Sequence, residues 1–139
     1  MAVITVPIYP MKLGDGGFHL FVEIVAFRDK HWAVIDTGAS RSVFDRSFIE
    51  VSWLDTLSTE NTISEVIMVL PQFEIGNLKI QKYNALILDL NPINDVYASL
   101  TYPRIIAIIG SDLFYRYNAL INYKKLEISF STMPCSEIL

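Results

Sequence analysis

The sequence predicts an all-β fold, mainly strands with one short helix. Its apolar segments are short and rich in β-branched and aromatic residues, and turn residues separate them, which is typical of an all-β domain. The DLFYRY segment is the exception, because Ser111 before it and Asn118 after it predict a short helix with a cap and a stop. The 139 residues fit a single domain over residues 1–139.

The first segments predict an edge strand followed by a hairpin. MAVITVPIY is an edge strand because Pro7 has no N–H to donate to a neighbouring strand. After a glycine-rich turn at residues 14–17, the segment FHLFVEIVAF alternates as a strand does. A second strand over residues 31–35 completes the hairpin and delivers Asp36 to a loop.

Further hairpins are predicted beyond that loop. Residues 42–44 return as a strand, and Asp45 caps a short helical turn. Residues 53–70 hold two apolar stretches around a polar one, which predicts a second hairpin. The tip of that hairpin comprises Ser58, Thr59, Glu60 and Asn61. FEIGNLKI predicts a third hairpin that turns at Gly76 and Asn77.

The C-terminal part predicts two more strands, the short helix and a closing hairpin. Residues 83–90 form a strand that Asn91 and Pro92 end. RIIAIIG is apolar and β-branched without interruption, which predicts a strand buried on both faces. ALINY and LEISF form the last hairpin around Lys124 and Lys125.

Composition and charge exclude several classes of function. The formal net charge of −4, without a Lys/Arg cluster, argues against a nucleic-acid partner. No run approaches the roughly 18 apolar residues of a membrane helix, and the first residues lack a signal-peptide pattern. The single cysteine, Cys135, suits a reducing cytoplasm. With 52% hydrophobic residues, the chain carries more apolar surface than one small domain hides, which predicts self-association.

Asp36 raises the functional question, because AVIDTGAS places a carboxylate at the end of an apolar strand. A carboxylate at the mouth of a core is paired, bound to a cation or used for proton chemistry. One interpretation is an ordinary turn in which Asp36 caps its own backbone. Another is the phosphate loop of ATP-binding domains of the sugar-kinase and actin type. Those domains need two large lobes with full helices, which this length and strand content do not supply.

A third interpretation rests on two separated segments. AVIDTGASRSVFD resembles the active-site segment of the retropepsin-like aspartic proteases, and IIAIIGSDLFYRYNALINYKKLEISF resembles their C-terminal half. NLKIQKYNALILDL is similar to the intervening strands of bacterial members, so the resemblance covers about residues 19–130. It implies a closed-barrel acid-protease fold and a cytoplasmic aspartic endopeptidase of the bacterial single-domain kind. No cofactor and no metal are expected.

Peptide hydrolysis without a metal or a covalent nucleophile needs a base and an acid. Two facing carboxylates that share one proton supply both. At about 3 Å and an effective dielectric of 20, two ionised carboxylates would repel each other by roughly 5 kcal/mol, so one of them stays protonated. The chain has a single Asp-Thr-Gly, because Asp55-Thr56 is followed by Leu57. The second carboxylate must therefore be Asp36 of another subunit in a homodimer.

The resemblance also assigns roles around Asp36, the predicted catalytic residue. Thr37 would bind the loop of the partner subunit, and Gly38 would let its amide reach the Asp36 carboxylate. Asp112 is either a support of the site or a charge favoured at a helix start. Ser111 stands where retroviral members have an arginine. The predicted support residues are Thr37, Gly38, Ala39, Ser40, Gly110 and Asp112, and the predicted flap comprises Ser58, Thr59, Glu60 and Asn61.

Two departures from the family pattern keep a second function open. No glycine occurs between Gly38 and Gly76, whereas flaps of this family usually have glycine-rich tips that open for substrate. Asn122 replaces an aspartate that is frequent in the closing hairpin. The alternative is a catalytically inactive dimer of the same fold that binds peptides. Either function predicts extended peptides or unfolded proteins as ligands. His19 and His31 have no further metal ligands at suitable spacing in the sequence, so packing or surface roles are predicted for them.

Overall fold

The computed structural model describes residues 2–49 and 66–133, which form ten strands, two helices and one 3₁₀ turn. The strands are β1 (Val3–Pro7), β2 (Tyr9–Lys12), β3 (Phe18–Ala26), β4 (Asp29–Ile35), β5 (Val43–Asp45), β6 (Val66–Ile75), β7 (Leu78–Leu88), β8 (Ile105–Ile109), β9 (Leu120–Asn122) and β10 (Glu127–Ser131). The helices are α1 (Asn91–Ser99) and α2 (Ser111–Arg116), and the 3₁₀ turn spans Arg46–Phe48.

Six strands close into a barrel in the order β3-β4-β8-β5-β7-β6, and β6 meets β3 again through the pair Val25–Glu74. β2 extends this sheet outside the barrel by pairing with the first half of β3. A separate three-stranded sheet has the order β1-β10-β9, with β1 at its edge. The predicted all-β, closed-barrel fold is confirmed, and so is the edge position of the N-terminal strand.

The strand β8 lies between β4 and β5 in the barrel wall. It runs parallel to β4 and antiparallel to β5, and its residues are buried almost throughout, as the RIIAIIG run predicts. Parallel strands end at the same edge of a sheet. The residues that follow Ile35 and Ile109 therefore lie side by side.

Apolar side chains form two clusters. Alternation along β4 sends Ala33 into the larger cluster, which fills the barrel, and Val34 into the smaller one. The smaller cluster packs Tyr97 of α1 against the barrel wall, and its buried members are Phe21, Val34, Val43, Leu90, Tyr97 and Ile105. The site described below lies at the edge of this second cluster.

Three predicted strand boundaries are wrong. The predicted N-terminal strand divides after Pro7, since β1 belongs to the three-stranded sheet and β2 to the barrel sheet. The predicted strand at residues 83–90 and the second arm of the FEIGNLKI hairpin are one strand, β7. The first arm of that hairpin likewise continues the end of the hairpin predicted at residues 53–70, as β6. Its ladder with β6 skips Pro71, which has no N–H, and Lys82 opposite it has a φ of 53°. The turn at Gly76 is confirmed, with a φ of 60°.

The helix α1 occupies a segment that the sequence predicts only as the end of a strand. Pro92 lies in its first turn, where the missing N–H costs no hydrogen bond. The predicted helix after β8 is confirmed as α2, but its N-cap residue is Gly110, and the Ser111 hydroxyl instead donates to the carbonyl of Ala39. Asn118 follows α2 with a φ of 51°, in agreement with the predicted stop.

Several predictions concern residues outside the described ranges. The predicted flap residues Ser58, Thr59, Glu60 and Asn61 are among them, as are Trp53 and Cys135. Within residues 2–49 and 66–133, no helix is long and apolar enough to cross a membrane.

Candidate active site

Asp36 follows β4 directly, at the edge of the barrel where β4 and β8 both end. Its backbone N–H donates to the carbonyl of Ile109 at 2.9 Å, which extends the parallel pairing into the loop of residues 36–40. Its carboxylate Oδ1 accepts the N–H of Gly38 at 2.9 Å, and its carbonyl accepts the N–H of Ala39 at 3.1 Å. These bonds orient an exposed carboxylate at the start of a tight turn.

A second loop, which follows β8, packs directly on the Asp36 loop. The carbonyl of Ala39 accepts the backbone N–H of Ser111 at 2.8 Å and the Ser111 hydroxyl at 3.1 Å. A Cβ atom at Gly110 would lie 2.6 Å from the carbonyl oxygen of Ala39 and 3.0 Å from that of Arg41. The close approach of the two backbones therefore requires glycine at position 110.

Behind these loops, a hydrogen-bond network joins the Asp36 loop, β7 and α2. Asp112 Oδ1 accepts the N–H of Ser42 at 2.9 Å and the Ser42 hydroxyl at 2.8 Å. The hydroxyl oxygen of Ser42 in turn accepts the N–H of Gly110 at 2.8 Å. The Tyr83 hydroxyl donates to Asp112 Oδ2. Burial, with the Asp112 carboxylate as a second cause, raises the pKa of Tyr83, so this hydroxyl stays a neutral donor. These contacts favour the support role of Asp112 over that of a helix-start charge.

Tyr97 on α1 lies near enough to Asp36 for the charge of that carboxylate to oppose ionisation of the phenol. Burial raises the pKa of Tyr97 to about 12, and the negative charge of Asp36 contributes to this. The Tyr97 hydroxyl and His19 Nδ1 are 2.7 Å apart, and the side chain of Tyr97 is 2% exposed whereas His19 is exposed. Of the packing and surface roles predicted for His19, this contact with Tyr97 agrees with packing.

Polar anchors hold α1 against the barrel. The buried side chain of Asn94 donates to the carbonyl of Ile105 at 3.0 Å and accepts its N–H at 2.8 Å. Asp45 is fully buried; it accepts the N–H of Leu90 at 3.1 Å and forms an ion pair with Arg104 at 2.8 Å. The predicted capping role of Asp45 is confirmed at the 3₁₀ turn. Both anchors restrict the position of α1 relative to β8.

The structure brings the two segments of the motif together. Of the predicted support residues, Thr37, Gly38 and Ser40 are exposed, Ala39 and Asp112 are half-buried, and Gly110 is buried. The sequence does not predict the hydrogen bonds near the Asp36 loop that are made by the side chains of four further residues, Ser42, Tyr83, His19 and Tyr97. Alternation along β3 was the available signal for His19, because it places that residue on the face of Phe21. Tyr97 lies in a helix that was not predicted.

A single subunit supplies one Asp36 carboxylate, which can act as a general base but not as a general acid at the same time. An ionised carboxylate takes a proton from water, but it has none to donate to a substrate carbonyl. In the described part of the chain, no three His, Cys, Asp or Glu side chains are grouped to hold a metal ion. A second acidic group beside Asp36 is the simplest addition that would complete the chemistry of peptide hydrolysis.

The fold is that of the retropepsin-like aspartic proteases. A solved retropepsin-like aspartic protease from Rickettsia conorii matches with a TM-score of 0.60 and 18% identity, over 93% of this chain and 92% of that chain. The retroviral protease-like domain of Ddi1 from Leishmania major matches with a TM-score of 0.55 and 15% identity, over 84% of this chain and 90% of that chain. No family model matches the sequence, and no curated protein is similar to it.

Proposed function

We propose that the protein is an aspartic endopeptidase that acts as a homodimer, with a water molecule activated between two Asp36 carboxylates. The observation that carries the proposal is the Asp36 loop: an exposed carboxylate, oriented by the Gly38 amide, with a second loop packed against it in a retropepsin-like barrel. The turn at Asp15 is a useful contrast. Its Oδ1 also accepts an N–H two residues on, from Gly17 at 2.8 Å, but neither Gly14 nor Gly16 has a close neighbour.

In the proposed dimer, a two-fold axis brings one Asp36 from each subunit to the same water. Their mutual repulsion leaves the pair singly protonated. The ionised carboxylate takes a proton from the water, whose oxygen attacks the carbonyl carbon, while the protonated one donates to the carbonyl oxygen. The C–N bond then breaks as the first carboxylate passes the proton taken from water to the amide nitrogen, and a hydroxyl of the intermediate returns a proton to the second carboxylate. Exposed Thr37 is the residue we assign to contact with the partner's loop.

The proposed substrates are extended peptide segments and unfolded proteins, because a cleft between two barrels accepts a chain without secondary structure of its own. The net charge of −4 and the absence of a basic cluster in the sequence support a peptide rather than a nucleic-acid ligand. A single cysteine is consistent with a cytoplasmic enzyme.

Replacing Asp36 by Asn tests the proposal. Asn keeps the shape of Asp but cannot accept the proton of water, so we expect kcat/KM on a mixed peptide library to fall by about 10⁴-fold. Asp15→Asn is the matched control, because it changes the same group in the same kind of turn and should leave cleavage unchanged. Circular dichroism of both variants verifies the fold. Cleavage by Asp36→Asn at the wild-type rate would rule out the proposed chemistry.

The alternative, a catalytically inactive dimer that binds peptides, is favoured by the absence of glycine between Gly38 and Gly76. A segment without glycine has fewer backbone conformations with which to open over a cleft. The two functions differ in one experiment with the wild-type protein. Binding of labelled library peptides without cleavage, from about pH 3 to pH 7, would establish the alternative.

A further inference from the structure

The register of β3 against β4 places His19 beside Asp36. Leu20 and Ile35 are the last pair of this ladder, so the next residues, His19 and Asp36, follow at its open end. Side chains alternate between the faces of a strand, which puts His19 on the face of Phe21, where α1 packs. An exposed imidazole and the proposed catalytic carboxylate therefore share one end of one hairpin.

Tyr97 holds His19 in this position. The two side chains share the hydrogen bond of 2.7 Å, and their rings meet edge to face with centroids 5.8 Å apart. Tyr97 packs in turn on Phe21, with ring centroids 5.0 Å apart. Because Asn94 ties α1 to β8 through two hydrogen bonds, the phenol that orients the imidazole is itself firmly placed.

The hydrogen bond between Tyr97 and His19 Nδ1 bears on the protonation of the other ring nitrogen, Nε2. We assign the Tyr97 hydroxyl as the donor and His19 Nδ1 as the acceptor, because a buried hydroxyl needs an acceptor and Nδ1 lies 2.7 Å from it. A neutral imidazole that accepts at Nδ1 carries its proton on Nε2, and an imidazolium also has a proton there. Within residues 2–49 and 66–133, Nε2 makes no hydrogen bond, and we assign its proton to a ligand.

We propose that His19 and Tyr97 form a specificity-determining pair that selects peptides with a hydrogen-bond acceptor side chain, above all a carboxylate, next to the scissile bond. The inference rests on the proposed function, in which Asp36 marks the scissile bond. A peptide lying across Asp36 passes His19, whose Nε2 proton binds the side-chain oxygen of Glu, Asp, Gln or Asn but has no acceptor on Leu or Val.

The symmetry of the proposed dimer gives this selection a recognisable signature. Each subunit contributes one His19 beside its own Asp36, so the two imidazoles lie on opposite sides of the two-fold axis. An extended peptide that crosses the axis meets one of them on each side of the cleaved bond. The preference for acceptor side chains is therefore expected on both sides, at positions equally distant from that bond.

Cleavage-site profiling of a mixed peptide library tests the pair. We expect the wild type to favour acceptor over apolar side chains by about tenfold in kcat/KM, the effect of one charge-assisted hydrogen bond at an exposed site. His19→Ala should abolish this preference, and Tyr97→Phe should weaken it, because the imidazole is still present but no longer held. Tyr102→Phe is the matched control. Tyr102 packs on the same apolar cluster as Tyr97, but its hydroxyl donates to the carbonyl of Lys12 instead of contacting His19.

The outcomes separate the pair from the proposed function. A wild-type preference that His19→Ala leaves unchanged, or no preference at all, overturns the pair and leaves the endopeptidase standing. A purely structural role for His19 lowers the cleavage of all peptides in proportion and does not change the ratio, which also overturns the pair.

A wild type that cleaves nothing overturns the endopeptidase, and the pair is then judged by binding. The probes are two fluorescein-labelled peptides that differ only in a central Glu or Leu. Tighter binding of the Glu peptide, lost in His19→Ala, supports the pair. Equal affinity, or no binding of either peptide, overturns it.

Discussion

Tyr83 and Tyr97 place two neutral phenol groups near the Asp36 loop. Burial is the main cause of the raised pKa of each tyrosine, and a nearby carboxylate adds to it: Asp112 for Tyr83 and Asp36 for Tyr97. A phenol donates a hydrogen bond and a phenolate does not. Both phenols therefore remain neutral far above neutral pH, where Tyr83 donates to Asp112 and Tyr97 shares its hydrogen bond with His19.

The raised pKa of Tyr97 makes the free energy of unfolding depend on alkaline pH. An unfolded tyrosine loses its proton near pH 10, whereas the folded one holds it to about pH 12. Between these values the folded state binds more protons than the unfolded state, so stability is complete below about pH 10 and falls as the pH rises towards 12. Tyr97→Phe should make this decline shallower, as urea denaturation at several alkaline pH values would measure.

Tyr123→Phe is the control for that measurement, because Tyr123 is 70% exposed. Its decline in stability with pH should equal that of the wild type. If the stability of the Tyr97→Phe variant declines with pH as steeply as that of the wild type and of Tyr123→Phe, Tyr97 ionises equally easily in the folded and unfolded states.

At the scale of residues, the sequence predicts the loop position of Asp36 and the close backbone approach at Gly38 and Gly110, but not the side-chain hydrogen bonds around them. The catalytic role of Asp36 stays a prediction. Asp-Thr-Gly-Ala-Ser and Gly-Ser-Asp are contiguous motifs, so local spacing is enough to find them. Tyr83 reaches Asp112 across 29 residues of chain, and the contact depends on how β7 lies against α2. A strand tyrosine without a motif is indistinguishable in sequence from an aromatic packing residue.

At the scale of elements, the strands were largely predictable and α1 was not. β3, β4 and β8 follow alternation or an apolar run, and both signals are strong. The segment of α1, NPINDVYAS, is rich in residues that favour turns, and its N-cap Leu90 makes no capping hydrogen bond with its side chain. The helix depends instead on tertiary contacts, namely those of Asn94 with Ile105 and of Tyr97 with the barrel wall.

The contact between the Asp36 loop and the loop after β8 predicts the effect of Gly110→Ala. The added Cβ would meet backbone oxygens at 2.6 Å and 3.0 Å, so the two loops must separate. We expect the free energy of unfolding to fall by about 1–3 kcal/mol. Peptide cleavage should fall as well, because the Asp36 carboxylate loses its support. Urea denaturation and a cleavage assay measure the two effects.

Gly14→Ala is the matched control for this substitution, because no atom lies within 4 Å of the added Cβ and its φ is not positive. Its stability should remain near that of the wild type. Equal stability of the Gly110→Ala and Gly14→Ala variants would mean that the two loops are not in tight contact.

At the scale of the whole molecule, the proposed dimer should respond to pH. Two Asp36 carboxylates that meet at the axis cannot both stay ionised, so the dimer binds more protons than two separate subunits. Dimerisation therefore strengthens as the pH falls from 8 to 5, by up to about tenfold per pH unit. Asp36→Asn removes the repulsion, which should tighten the dimer at neutral pH and abolish most of this dependence.

Sedimentation equilibrium at several pH values measures this dependence, with Asp15→Asn as the control that should behave as the wild type does. Identical dissociation constants for the wild type and Asp36→Asn at every pH would show that the two carboxylates do not face each other.

Among the residues that the structure describes, β3 and β6 share one pair, Val25 with Glu74, whereas β4 is joined along its length to β3 and at four positions to β8. The junction of β3 with β6 is therefore the one with the fewest backbone pairs, and we expect this slit in the wall to widen most easily. Widening of the slit would carry β3 and β4 together as one plate, with His19 and Asp36 at its rim. The movement would reach α2 through β8, which pairs with β4 and directly precedes that helix. Such a widening would leave the spacing of His19 and Asp36 nearly unchanged, because β3 and β4 are paired at seven positions.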